Sequence, residues 1–169
     1  ATFLIRNIPN GVMSGYLTER AAVGEKLMLT GPLGSFYLRE VKRPVLMLAG
    51  GTGLAPFLSM LAQLVEKGCD APIHMIYGVN KDDHLVKTDA LDAFAEKLPG
   101  FSYATVVVDE ASKHPRKGYV THHMDAAVMH DGDVDVYLCG PPPMIDAAIT
   151  ALMQGRLFER DIFMEKFLT

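Results

Sequence analysis

The hydrophobic pattern of the chain changes its rhythm near residue 43. Beyond that point, unbroken apolar runs alternate with segments in which apolar residues recur every three or four positions. Runs at 45–49, 73–79, 103–108, 134–139 and 162–167 predict strands buried on both faces, the pattern of a parallel sheet. Helical spacing predicts a helix after the first run, ending near Glu66 ahead of Gly68, which suits the residue after a helix end. Further helices are expected at 90–97 and 142–154, with a short helical stretch near 120–128. Alternating β and α units of this length imply an α/β fold: an open parallel, Rossmann-like sheet with helices on both faces, spanning 43–169.

Residues 1–42 read differently, as short strands at 3–6, 26–30 and 35–38 separated by Gly and Pro turns. Between the first two lies Gly11-Val12-Met13-Ser14, leading into a helical stretch through Leu17 and Glu19. Three short strands and one helix do not close a core. This part is therefore expected to be a piece of something larger whose remainder lies upstream.

Composition narrows the function. The chain has 169 residues, 49% of them hydrophobic, enough to bury a good core. A net charge of −4 argues against a general nucleic-acid binder. Cys69 and Cys139 are the only cysteines and match neither a disulfide framework nor a zinc or iron–sulfur set, so a reduced, cytoplasmic setting is expected. No signal peptide is expected, since Ala1 is followed by no basic region and no cleavage pattern. The uncharged stretch 45–65 is long enough to suggest a membrane span, but Gly50-Gly51-Thr52-Gly53 and Pro56 interrupt it. Strand, turn and helix explain it better. His122-His123 has no facing ligand set, and 131–135 lacks the glycine and glutamate of a calcium loop, so no metal is expected.

Two motifs carry the chemistry. In open parallel sheets, ligands bind beyond the carboxyl ends of the strands where the strand order reverses. The first strand runs into Gly50-Gly51-Thr52-Gly53-Leu54-Ala55-Pro56, where glycines admit a close approach to a pyrophosphate and the next helix offers unpaired N–H groups. It is neither G-x-G-x-x-G nor a P-loop. The fourth strand runs into Cys139-Gly140-Pro141-Pro142-Pro143-Met144, whose prolines suit a first helical turn.

This motif pair, G-G-T-G-x-A-P with C-G-P-P-P-M, followed by a near-terminal E-K-F, resembles the ferredoxin–NADP reductase superfamily. Within it, Gly31 to Leu38 and Val134 to Pro141 are similar to the reductase components of benzoate, toluate and anthranilate ring-hydroxylating dioxygenases. The resemblance implies that residues 1–42 are the tail of a FAD-binding β-barrel and that hydride passes from NADH to FAD. Electrons would then pass singly to a [2Fe-2S] centre, in an upstream domain, that feeds an oxygenase component. The family's R-x-Y-S signature and a four-cysteine cluster set are absent from the chain.

The resemblance also implies roles. Residues 50–56 would hold the NADH pyrophosphate, and Cys139, Gly140 and Pro141 would flank the nicotinamide. Glu165 would orient it, and Phe167 would cover the isoalloxazine. Gly11, Val12, Met13 and Ser14 would meet the FAD pyrophosphate. Tyr77-Gly78 and Val108-Asp109-Glu110-Ala111 would stand at the adenosine ribose, where carboxylates favour NADH over NADPH. Read singly, Ser14 also fits an N-cap, Cys139 a buried structural thiol, Glu165 a solvated carboxylate and Phe167 a core aromatic. A dinucleotide-binding module without catalysis is the alternative function.

Overall fold

The computed structural model describes residues 2–31, 33–155 and 157–167. The chain divides into two compact units, Ala1–Ser35 and Phe36–Thr169.

The larger unit is built on five parallel strands: β1 (Val45–Gly50), β2 (Ile73–Val79), β3 (Phe101–Val107), β4 (Asp135–Gly140) and β5 (Ile162–Lys166). Their spatial order is β3-β2-β1-β4-β5. Every residue of β1 is buried, as its uninterrupted apolar sequence requires of a central strand. Successive side chains of a strand point to opposite faces. Leu46, Leu48, Val136 and Leu138 thus share one face, where they pack with Ile145, Ala148 and Leu152 of the helix Pro142–Gln154. Tyr137 points to the other face, where its ring meets those of Phe36 and Phe163, and Phe36 meets Phe57 of the helix Leu54–Lys67. Helices therefore cover both faces.

The helix Leu54–Lys67 buries Leu54, Phe57, Met60, Leu61 and Leu64, a stripe at helical spacing. It ends at Gly68, whose φ of 75° a side chain would strain. The helix Thr88–Lys97 begins two residues earlier than its apolar positions suggest. The stretch expected near 120–128 separates into a 3₁₀ turn, Val120–His123, and a short helix, Ala126–Met129. Asp125 causes the break: its Oδ1 accepts from the N–H groups of Ala127 and Val128 at 3.0 and 3.1 Å and starts the helix anew. Among the described residues no helix is long and apolar enough to cross a membrane.

The smaller unit corrects the expectation of three strands. Its described residues hold a helical turn, Val12–Gly15, continued by a wider π turn, Tyr16–Arg20, and none of 3–6, 26–30 or 35–38 forms a strand. A strand is stabilised by its ladder and by burial of one face. Here Phe3, Leu27, Met28 and Leu29 are exposed, Met28 almost completely at 97%. The alternation is in the sequence, but no ladder partner stands opposite it among the described residues.

Candidate dinucleotide site

The strand order reverses between β1 and β4, since one half of the sheet grows outward from β1 through β2 and the other through β4. The two glycine-bearing loops leave the sheet at this point. Ala49 lies opposite Cys139 in the ladder, so both strands end level. A β-carbon on Gly53 would overlap the carbonyl of Cys139 and come within 2.9 Å of the Gly140 nitrogen. One on Gly50 would come within 2.6 Å of the Met144 sulfur and 2.8 Å of Pro141 Cδ, and one on Gly140 within 3.0 Å of Gly50 Cα. These three glycines let the loops interlock. Gly51 is different: it turns the chain at φ 55°, and the space at its missing side chain is open.

Exposure sorts the first loop further. Gly51, Thr52, Ala55 and Pro56 are partly exposed, whereas Gly50, Gly53 and Leu54 are buried. Leu54 sends its side chain into the core. No side chain caps the first turn of the following helix. The loop thus presents backbone and small groups to the crevice, and an anion can lie there against the positive end of the helix.

On the other side of β4, β5 brings Glu165 opposite Cys139 in the ladder, and the Phe167 N–H donates to the Gly140 carbonyl at 3.0 Å. Cys139 is fully buried, and burial, with the Glu165 carboxylate second, pushes its thiol up to about 12. It is a neutral S–H at physiological pH. Glu165 and Phe167 are both half-buried. Gly140, Pro141, Glu165 and Phe167 therefore meet the glycine loop at one crevice, with the Cys139 thiol buried beneath them.

The residues expected at the ribose lie farther along the same carboxyl edge, at the ends of β2 and β3. Tyr77 is wholly buried and its hydroxyl donates to the His84 carbonyl at 3.3 Å, so its side chain faces the core. Gly78 makes room for Val120, whose Cγ1 would stand 2.6 Å from an added β-carbon. Asp109 Oδ1 accepts from the Ala111 N–H at 2.9 Å, closing a turn, and Glu110 is exposed. Two features escaped sequence reasoning. Ser112, buried, donates to Asp82 Oδ1 at 2.7 Å and clips the loop after β3 to the loop after β2. The chain then returns beside the end of β3, with Lys117 bridged to Val107, so Arg116 and Lys117 stand near Asp109 and Glu110. The basic run 113–117 was the one available signal.

Gly11 to Ser14 belong to the smaller unit. Gly11, not Ser14, occupies the helix N-cap. The Ser14 hydroxyl accepts from the Ile8 N–H at 2.8 Å and donates to the Arg6 carbonyl at 3.2 Å, so it ties down the preceding loop. Val12 and Met13 are exposed. Among the described residues, no group of three or more His, Cys, Asp and Glu side chains could hold a metal ion. A cleft of about 710 Å³ lies at the opposite, amino end of the sheet, between residues 38–41 and 63–71, and includes none of the residues above.

Comparison with known proteins agrees with this geometry. The profile of the oxidoreductase NAD-binding domain matches residues 47–150, from within β1 into the last long helix. The chain belongs to that family. It is 51% identical over 168 residues to the 2-halobenzoate 1,2-dioxygenase electron transfer component of Burkholderia cepacia, covering 98% of this chain and 50% of that protein. It is 49% identical over 166 residues to the toluate 1,2-dioxygenase electron transfer component of Pseudomonas putida, again covering 98% of this chain and 49% of the relative. The chain thus spans about half the length of the curated relatives it matches. Among solved structures, the cytochrome P450 reductase GcoB of Amycolatopsis superposes with a TM-score of 0.87 at 31% identity, over 96% of this chain and 50% of that one. A ferredoxin reductase of carbazole 1,9a-dioxygenase gives 0.83 at 27%, over 97% and 50%. The resemblance to reductase components of aromatic-ring dioxygenases is borne out.

Proposed function

We propose that this NAD-binding domain serves a reductase component that takes hydride from NADH onto FAD and sends electrons onward to a [2Fe-2S] centre and the oxygenase component of a ring-hydroxylating dioxygenase. One observation supports this reading above the others: β5 brings a half-buried carboxylate and an aromatic residue to the same crevice as the interlocked glycine loops. A module that only bound a dinucleotide would have no need of either.

The residues fit the two cofactors. Gly51 and Thr52, with the uncapped turn of the helix Leu54–Lys67, receive the NADH pyrophosphate. Gly140, packed against Gly50, turns β4 out of the sheet beside the position where the nicotinamide would lie, with the Cys139 thiol buried beneath. The neutral Cys139 S–H would lie beneath that position without adding charge, and the half-buried Glu165 carboxylate would accept a hydrogen bond that fixes the ring's orientation. The half-buried Phe167 would lie against one face of the flavin ring. Asp109 and Glu110 would repel a 2′-phosphate, and neighbouring Lys117 is already tied to the Glu110 carbonyl, so NADH is favoured. Residues 1–42 complete a FAD-binding barrel, and exposed Phe3, Ile5, Met28 and Leu29 are the apolar face that barrel would bury. NADH and FAD supply the redox chemistry when bound, and the protein supplies binding and orientation.

Anaerobic stopped-flow reduction by NADH, in the full-length FAD-containing protein, tests the assignment. Cys139→Ala and Glu165→Gln are expected to slow flavin reduction roughly 10- to 1000-fold, about 1.4 to 4 kcal/mol of barrier, with NADH affinity little changed. Reduction at the parental rate in both variants would make these residues structural and favour the non-catalytic module.

A further inference from the structure

β5 is a five-residue strand at the edge of the sheet, paired with β4 on one side among the described residues. Slipping it by one residue would turn Glu165 to the opposite face. Its start is held by a guanidinium. Arg43, two residues ahead of β1, places Nη2 2.6 Å from Asp135 Oδ1 and 2.5 Å from Asp161 Oδ1. Its Nε donates to the same Asp135 oxygen at 3.0 Å, and Nη1 reaches Asp133 at 3.3 Å. Asp135 opens β4 and Asp161 immediately precedes β5, so one side chain ties together the starts of β1, β4 and β5.

The cluster is shielded. The side chains of Arg43, Asp135 and Asp161 are 27%, 17% and 13% exposed, where charge-assisted hydrogen bonds are stronger than at an open surface. Among the described residues Arg160 is the other cation paired with Asp161, but it stands 3.9 Å away on a side chain that is 79% exposed, so it does not substitute for the fork. A lysine would keep the charge but could not serve three carboxylates from fixed directions.

We propose that Arg43, acting through Asp135 and Asp161, is a positioning residue that sets the register of β5, and so holds Glu165 level with Cys139 and Phe167 on the Gly140 carbonyl. The role in hydride transfer rests on the function proposed above; the register role does not.

Two measurements on Arg43→Lys in the full-length, FAD-containing protein separate them. Amide hydrogen exchange reads the clamp directly. Exchange is expected to accelerate about tenfold or more at β5 and at the Phe167 N–H, with β1 and β2 unchanged. Unchanged exchange at β5 overturns the proposal. Flavin reduction is expected to slow about tenfold while NADH affinity stays within about twofold. Loosened β5 amides with reduction at the parental rate overturn the positioning role, and Glu165→Gln in the same assay then tells whether the reading of the site fails as well. Should Arg43→Lys not fold, Asp161→Asn removes one arm of the fork and takes the same two measurements.

Discussion

Cys139 carries the least ordinary chemistry of any single residue here. It sits at the tip of a central strand without solvent contact, and burial first, then the neighbouring carboxylate, opposes its ionisation. Cys69 is only partly covered. Iodoacetamide at about pH 8 should therefore label Cys69 and spare Cys139 until the protein is unfolded, since the thiolate is the nucleophile. Peptide mass spectrometry of the native protein decides this, and stoichiometric labelling of Cys139 would contradict it. The same shift links to stability. A thiol raised from 9.0 to about 12 favours the folded state fully below about pH 9, and that contribution is lost as pH rises toward about 12. Cys139→Ala should flatten alkaline denaturation over that window.

At the scale of elements, the two loops at the crevice form one interlocked piece. Gly53→Ala drives a methyl group into backbone that cannot rotate away, and a cost of about 3 kcal/mol is expected. Gly51→Ala meets open space and pays only for its left-handed turn, about 1 kcal/mol. Urea unfolding should rank them in that order; equal losses would mean the loops do not pack as described. The elements of the larger unit were legible because buried parallel strands are written as unbroken apolar runs, and 73–79 and 142–154 match the structure residue for residue. The alternating stretches in the first forty residues misled, since alternation marks a face that wants covering and does not supply the partner. The site was legible as glycine and proline motifs. What those glycines touch was not, and neither were the Arg43 fork nor the clip from Ser112 to Asp82. Each joins residues distant in sequence through single polar contacts, which leave no periodic trace.

At the scale of the whole molecule, the two units differ in self-sufficiency. The sheet buries its apolar residues between helices, whereas Ala1–Ser35 leaves most of its large apolar side chains in water. On the function proposed above, residues 1–42 would form only part of a flavin site, and a part of a site holds its ligand weakly. The 169-residue chain produced alone should purify without flavin colour and still bind NADH. Tightly held, stoichiometric FAD in its absorbance spectrum would mean that residues 1–42 suffice for the flavin.

The interlock of Gly53 with the Cys139 carbonyl also orders events in time. Strands β1, β2 and β3 follow one another closely in the chain, but β4 pairs with β1 across the whole of β2 and β3. Closing that longer loop costs more entropy, so β4 docking is expected to be the slow step of assembly. Before it docks, half of the crevice does not exist. The dinucleotide can therefore recognise only chains that have completed their longest-range pairing, and by mass action it draws the population toward that state. In a cell, the supply of nicotinamide nucleotide would act on how much of the protein survives as well as on how fast it turns over.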